Sequence, residues 1–176
     1  MEPCAYLLKD IEVIEVAYIE ERLAALGLEL PAPIRLPPGV VLSFPWVRVH
    51  GNRALISGHG ALTANGSIAH PLGKVGGDLT IEEGYEAARL TALAMLASLK
   101  AELGDLDRIV AWLRVYGMVN SAVGFNNFPQ VINGFSDLIV DLFGVDRGKH
   151  ARSAVGMAGL PFDLPVEIEA EVVILP

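Results

Sequence analysis

Toward its C-terminal end this 176-residue chain carries Arg152 in the run His150-Ala-Arg-Ser-Ala-Val155, and then, beyond Leu160-Pro161, the pair Glu167 and Glu169 in Val166-Glu-Ile-Glu-Ala170. A guanidinium is a planar fork of donors that grips a carboxylate at two points and fixes its orientation. A carboxylate can position a water or carry a proton. Two carboxylates two residues apart on a strand point to one face. Such groups could hold an anionic small molecule and move a proton on it. The same residues could equally be a plain cross-strand ion pair, and residue types alone leave both readings open.

The elements that must position these residues are legible from periodicity. Val16, Ile19, Leu23 and Leu26 recur at helical spacing within residues 12–26, and Gly27 is a natural stop. Pro31, Pro33, Pro37 and Pro38 make an extended connector, because proline neither donates a hydrogen bond nor fits a helix interior. Short strands are expected at 40–42 and 46–49, then a turn at His50-Gly51-Asn52 and a returning strand at 53–57. Gly58, Gly60, Gly66, Gly73, Gly76 and Gly77 punctuate a loop read as a flexible connection, without a phosphate- or dinucleotide-binding pattern. Thr80 and Glu83 form a capping box that opens a long helix. Tyr85, Ala88, Ala92, Leu96, Leu99 and Leu103 make its apolar stripe, and Gly104 ends it.

Residues 109–119 read as a long strand, apolar on both faces and therefore central. Another helix starts at 126–129, with Pro129 where its missing N–H does no harm, buries Val131, Phe135, Leu138, Ile139 and Leu142, and stops at Gly144. A charged loop at 145–149 and strands at 153–158 and 166–174 follow. This order implies a single α+β domain, with two helices on one face of a mixed sheet. Residues 1–39 would be an added helix and connector, and 40–176 the body.

The apolar fraction, 52%, is high, yet no run reaches the roughly 18–20 apolar residues of a membrane span; the surplus is expected at a subunit interface. A start of Met1-Glu-Pro-Cys shows no secretory pattern, and the single Cys4 suits a reducing cytoplasm. The net charge of −8, with only 13 Lys and Arg, argues against nucleic acid. His50, His59, His70 and His150 have no metal-ligand spacing.

Several of these pieces resemble the Rid family of reactive-intermediate deaminases, also called the YjgF family and labelled endoribonuclease L-PSP. They are Ser57-Gly58 at a strand end, Glu82-Glu-Gly-Tyr-Glu-Ala-Ala-Arg89 on the long helix, and the step through Gly104-Asp-Leu. Most specific is Ala151-Arg-Ser-Ala-Val155 with Leu160-Pro161 and Val166-Glu-Ile-Glu-Ala170. The resemblance implies a chorismate-mutase-like fold and a homotrimer with ligand clefts between subunits. It also implies hydrolysis of imines formed from enamines such as 2-aminoacrylate, giving a 2-keto acid and ammonia without cofactor or metal. The chain departs from the family pattern in lacking the N-terminal Gly-Pro-Tyr-Ser-type segment. His59 stands for the usual Gln, and Ala154 for a frequent Cys.

Carried over residue by residue, the resemblance makes Arg152 the carboxylate anchor and Glu167 the group that activates water or shuttles a proton. Ser57 would hydrogen-bond the substrate, Asn133 falls near a family asparagine, and His59 would line the pocket beside Ser57. Each has a structural alternative: an ion pair for Arg152, a solvated carboxylate for Glu167, turn chemistry for Ser57, an interface polar group for Asn133. Three functions compete: an imine/enamine deaminase, a small-carboxylate (2-keto acid) binding protein, and a ribonuclease or translation inhibitor, which the acidic charge disfavours.

Overall fold

The computed structural model describes residues 18–36 and 38–175, so residues 12–17 of the expected first helix lie outside the described residues. Helix α1 is Tyr18–Ala25. Strands β1 (Val47–His50) and β2 (Arg53–His59) form a hairpin. Helix α2 (Ile81–Leu103), strand β3 (Ile109–Asn120), helix α3 (Phe128–Gly148), strand β4 (Ala151–Met157) and strand β5 (Val166–Ile174) follow. The sheet order is β1-β2-β5-β3-β4. Among the strands of the described residues, only β3 and β4 pair in parallel, joined through α3; β5 pairs antiparallel with both β2 and β3. The chain is therefore α+β with a mixed sheet. The strand at 109–119 is interior, as its apolar pattern requires, but the centre is β5.

Capping and stripes behave as the residues dictate. Thr80 accepts from the Glu83 N–H at 3.1 Å, and the Glu83 carboxylate accepts from the Thr80 N–H at 2.8 Å. The stripes of α2 and α3 are buried and pack on one face of the sheet with Val115, Val119, Ile168 and Val172, except that Tyr85 stays partly exposed and its hydroxyl donates to Asp137 Oδ2 at 3.0 Å. Trp112 lies between the edges of Phe135 and Phe143, with ring centroids 5.7 Å apart in each case. Fully burying such side chains stabilises by about 1.5–3 kcal/mol each. Ile19 and Leu23 of α1 join the same core.

Three expectations change. Among the described residues, 40–42 pair with no strand, although the outer edge of β1 is open; Val40 and Leu42 instead line a cavity. Gly144 does not end α3 but kinks it at φ 75°, and the expected loop at 145–149 continues as helix to Gly148. Arg147 holds that last turn, donating from Nε to the Ile109 carbonyl at 3.0 Å. The glycine loop is structured, with Leu62 bridged to Ile68, and Val75 fully buried and bridged to Ser121. Among the described residues, no helix is long and apolar enough to cross a membrane.

Candidate active site

Strand alternation sorts the site residues by face. In β5, Val166, Ile168, Ala170 and Val172 are buried under the helices, so Glu167, Glu169 and Glu171 project from the opposite face. In β4, Arg152 is paired in register with Val115, a fully buried core residue, and comes out on the helix-covered face. There α3 receives it. Its Nη1 donates to Asn133 Oδ1 at 3.0 Å and Ser136 Oγ at 2.9 Å, and its Nη2 to the Pro129 carbonyl at 3.3 Å. Positions 129, 133 and 136 share one helix face.

His150 completes this cluster. The Ser136 hydroxyl donates to His150 Nε2 at 2.9 Å, and Nδ1–H donates to the Gly148 carbonyl at 2.8 Å, a tautomer assigned from the network. Burial lowers the His150 pKa, and the Arg152 charge lowers it further. Burial also lowers the Arg152 pKa, against the field of Asp137, but a guanidinium keeps its charge. Among the described residues no carboxylate forms an ion pair with Arg152. Its Nη1 hydrogens are committed, while Nε and one Nη2 hydrogen have no partner there, and that edge matches a carboxylate.

Glu167 occupies a different setting. It is half-buried beside Gly58, and a Cβ built on Gly58 would lie 2.0 Å from Glu167 Oε1. The glycine after Ser57 therefore exists to let this carboxyl lie against β2, at the bulge between Ile56 and His59. Glu167 and Arg35 are the charged residues in the wall of an otherwise largely apolar cavity of about 240 Å³, lined by Phe44, Trp46, Leu62 and Phe162 among others. Burial pushes its pKa up, and neighbouring Glu169 pushes it the same way.

Ser57 faces an open groove of about 350 Å³ on the uncovered sheet face, with Arg48, Arg114, Tyr116 and Glu169. Its hydroxyl donates to the Pro45 carbonyl at 2.9 Å. His59, expected to line the pocket, is instead 1% exposed. Its Nδ1 donates to the Ser57 carbonyl at 2.7 Å, its Nε2 accepts from Ser98 Oγ at 2.8 Å, and burial lowers its pKa. The bulge turns His59 inward, where it supports Trp46 at a centroid distance of 4.9 Å.

Arg152 and Asn133 are thus brought together, and Glu167 meets Gly58 while Ser57 lines a separate groove with Glu169, but Arg152 and Glu167 lie on opposite faces. Neither expected arrangement, shared site or cross-strand ion pair, exists within one chain. Ser136 and the cavity aromatics escaped the sequence reading, as did the parts that His150 and Gly58 play beside Arg152 and Glu167. The i, i+3 spacing of Asn133 and Ser136 was the available signal for one of them. The remaining acidic trio, Glu20, Asp105 and Asp107, is offset by Lys100, which pairs with Glu20, and by Arg147, 3.6 Å from Asp107.

The family model described as "YjgF/chorismate_mutase-like, putative endoribonuclease" matches residues 20–165. Protein TCP17 of Trypanosoma cruzi is 36% identical over 163 residues, covering 91% of this chain and 96% of its own length. A solved structure of a protein of unknown function from Agrobacterium tumefaciens is 39% identical, with a TM-score of 0.78 over 89% of this chain and 92% of its own. A Shewanella oneidensis structure carrying the same endoribonuclease label is 29% identical, with a TM-score of 0.80 over 89% of this chain and 99% of its own.

Proposed function

Because the chain belongs to the YjgF/chorismate-mutase-like family, we propose that it is a hydrolytic deaminase of reactive imines and their enamine tautomers, working in the clefts of a homotrimer. The observation that carries this reading is Glu167, a carboxyl of raised proton affinity in the wall of an apolar cavity. Such a group exchanges protons nearer neutrality than an exposed glutamate does. Water adds its oxygen to the imine carbon, with Glu167 taking the proton. Glu167 passes that proton to nitrogen, giving the carbinolamine; it then takes the carbinolamine's hydroxyl proton and delivers it to the amino group, so that the C–N bond breaks, ammonia leaves and the C=O of the ketone forms. An enamine first tautomerises by protonation at carbon. The Arg152 fork holds the substrate carboxylate and so fixes the imine carbon before the acid.

Since Arg152 and Glu167 face opposite ways, the complete cleft takes Arg152 from one subunit and Glu167 from the next. The uncovered sheet face supports association: it carries Leu55, 48% exposed, together with Arg48, Arg114, Glu169 and Glu171. Charges of both signs suit a contact between two different surfaces of the same chain, the head-to-tail kind that closes a ring of three. The net charge of −8 counts against RNA as substrate.

One observation favours a second reading, keto-acid binding without turnover: the Ser57 hydroxyl is already committed to Pro45. The discriminating experiment measures ammonia release from imines generated in place by an amino-acid oxidase, with the protein and its Arg152→Ala variant side by side. Acceleration by the unaltered protein alone supports the deaminase. Saturable 2-keto acid binding without acceleration supports the binding protein.

A further inference from the structure

The cavity beside Glu167 is built largely by a segment outside the strands, with Val40, Leu42 and Phe44 at one wall and Phe162 at another. Val40 and Phe44 remain 36% and 48% exposed there, so the apolar walls stand open rather than collapsing on one another. Phe162 is held at a backbone angle that bulky side chains avoid, φ 55°, and Asp163 follows it at φ 57°. The surroundings enforce this. Asp163 Oδ1 accepts from Asn120 Nδ2 at 2.8 Å, and its carbonyl accepts from the Gly73 N–H at 2.8 Å. Asn120 is fully buried and accepts from Lys74 Nζ at 2.7 Å, which also donates to the Ala158 carbonyl at 2.6 Å. Strain retained by such a network beside an acid–base group points to a functional constraint on where Phe162 stands.

We infer that this cavity receives the substrate's side chain, and that the chain acts on imines of bulky apolar amino acids, of the leucine or phenylalanine class, rather than on the small 2-aminoacrylate type. At about 240 Å³ the cavity falls below the roughly 300–1,000 Å³ of pockets that take whole drug-sized ligands. It suits one apolar side chain, with the reacting carbon left at Glu167. The inference rests on the deaminase reading for its chemistry, but not for the binding preference.

Two measurements separate them. Ammonia release is compared for the imines of leucine and alanine, and Trp46 fluorescence is titrated with 4-methyl-2-oxopentanoate and pyruvate, with Trp46→Phe as the control for the signal. The leucine imine should exceed the alanine imine in kcat/KM by at least about tenfold, because each added methylene counts in an apolar pocket. Filling the cavity with Val40→Trp, or Leu42→Trp as a second variant, should reduce that ratio at least about tenfold. Equal rates, or variants that leave the ratio intact, overturn the inference while the deaminase reading stands. If no imine is accelerated, the deaminase reading falls and fluorescence decides. Tighter saturation by 4-methyl-2-oxopentanoate than by pyruvate, lost on filling the cavity, sustains the inference. No titration by either acid overturns it.

Discussion

Arg152 and Glu167 stand on opposite faces of the sheet: Arg152 is in register with Val115 and Glu167 with Met118, three residues further along the same unbroken stretch of β3. An odd separation on a strand means opposite faces. One chain therefore cannot bring both groups to one small substrate. Arg152→Ala and Glu167→Gln should each lower imine hydrolysis by about 10²-fold or more. Unfolded together in equal amounts and reassembled, the two inactive proteins should regain about a quarter of the original activity, the share of subunit contacts that join an intact Arg152 to an intact Glu167. Ammonia release from the mixture, compared with each variant reassembled alone, is the measurement. A mixture no better than its components would place the whole site in one chain.

Gly58 offers a test that leaves every polar group in place. An added methyl at this position meets Glu167 Oε1 at 2.0 Å, and the obstructed atom is the end of a flexible side chain, not backbone. Gly58→Ala should displace the carboxyl and leave the sheet intact. Activity should drop by about 10²-fold, the usual effect of misplacing a reacting group by an ångström. Circular dichroism should be unchanged, and a collapse of both signals together would make Gly58 a folding residue instead.

The raised pKa of Glu167 sets a pH dependence of stability. Its folded value lies above the ordinary 4.5, so the folded state holds this proton more tightly than the unfolded chain does. The stability this gives is fully present below the ordinary value and is lost as pH rises through the folded one. Glu167→Gln removes the ionisation. Its thermal midpoint should gain on that of the unaltered protein as pH rises from about 4 toward neutrality, with the difference small at the acid end. Paired melts across that range check it, and a constant offset would mean that burial does not perturb the group.

Patterning exposed much of the fold and only part of the site. Thr80 and Glu83 announce the start of α2 because a capping box is local, and the apolar stripes of α2 and α3 are local too. Facing is not local. The shared side of Glu167 and Glu169 follows from their spacing, but their relation to Arg152 depends on β3 lying between β4 and β5, a register written in no single segment. His59 shows the same limit: two residues from Ser57 it would share that residue's face, but a bulge between Ile56 and His59 turns it into the core. Gly144 looked like a stop because glycine is the usual residue past a helix end; its φ of 75° is left-handed, yet the extra turn persists through Arg147, anchored to β3 and to Asp107.

The conformation of Phe162 can be tested apart from any activity. Both Phe162→Ala and Phe162→Gly delete the half-exposed ring, so the packing lost is similar. Only glycine is at ease at φ 55°. The left-handed region costs other residues about 1–2 kcal/mol, partly offset by glycine's greater freedom when unfolded, so the glycine variant should be the more stable of the two by about 0.5–1 kcal/mol. Urea unfolding midpoints of the two variants measure this difference directly. Equal midpoints would show that the backbone at 162 relaxes once the ring is gone, and would put the constraint in the ring's packing instead of in the Asn120–Asp163 network.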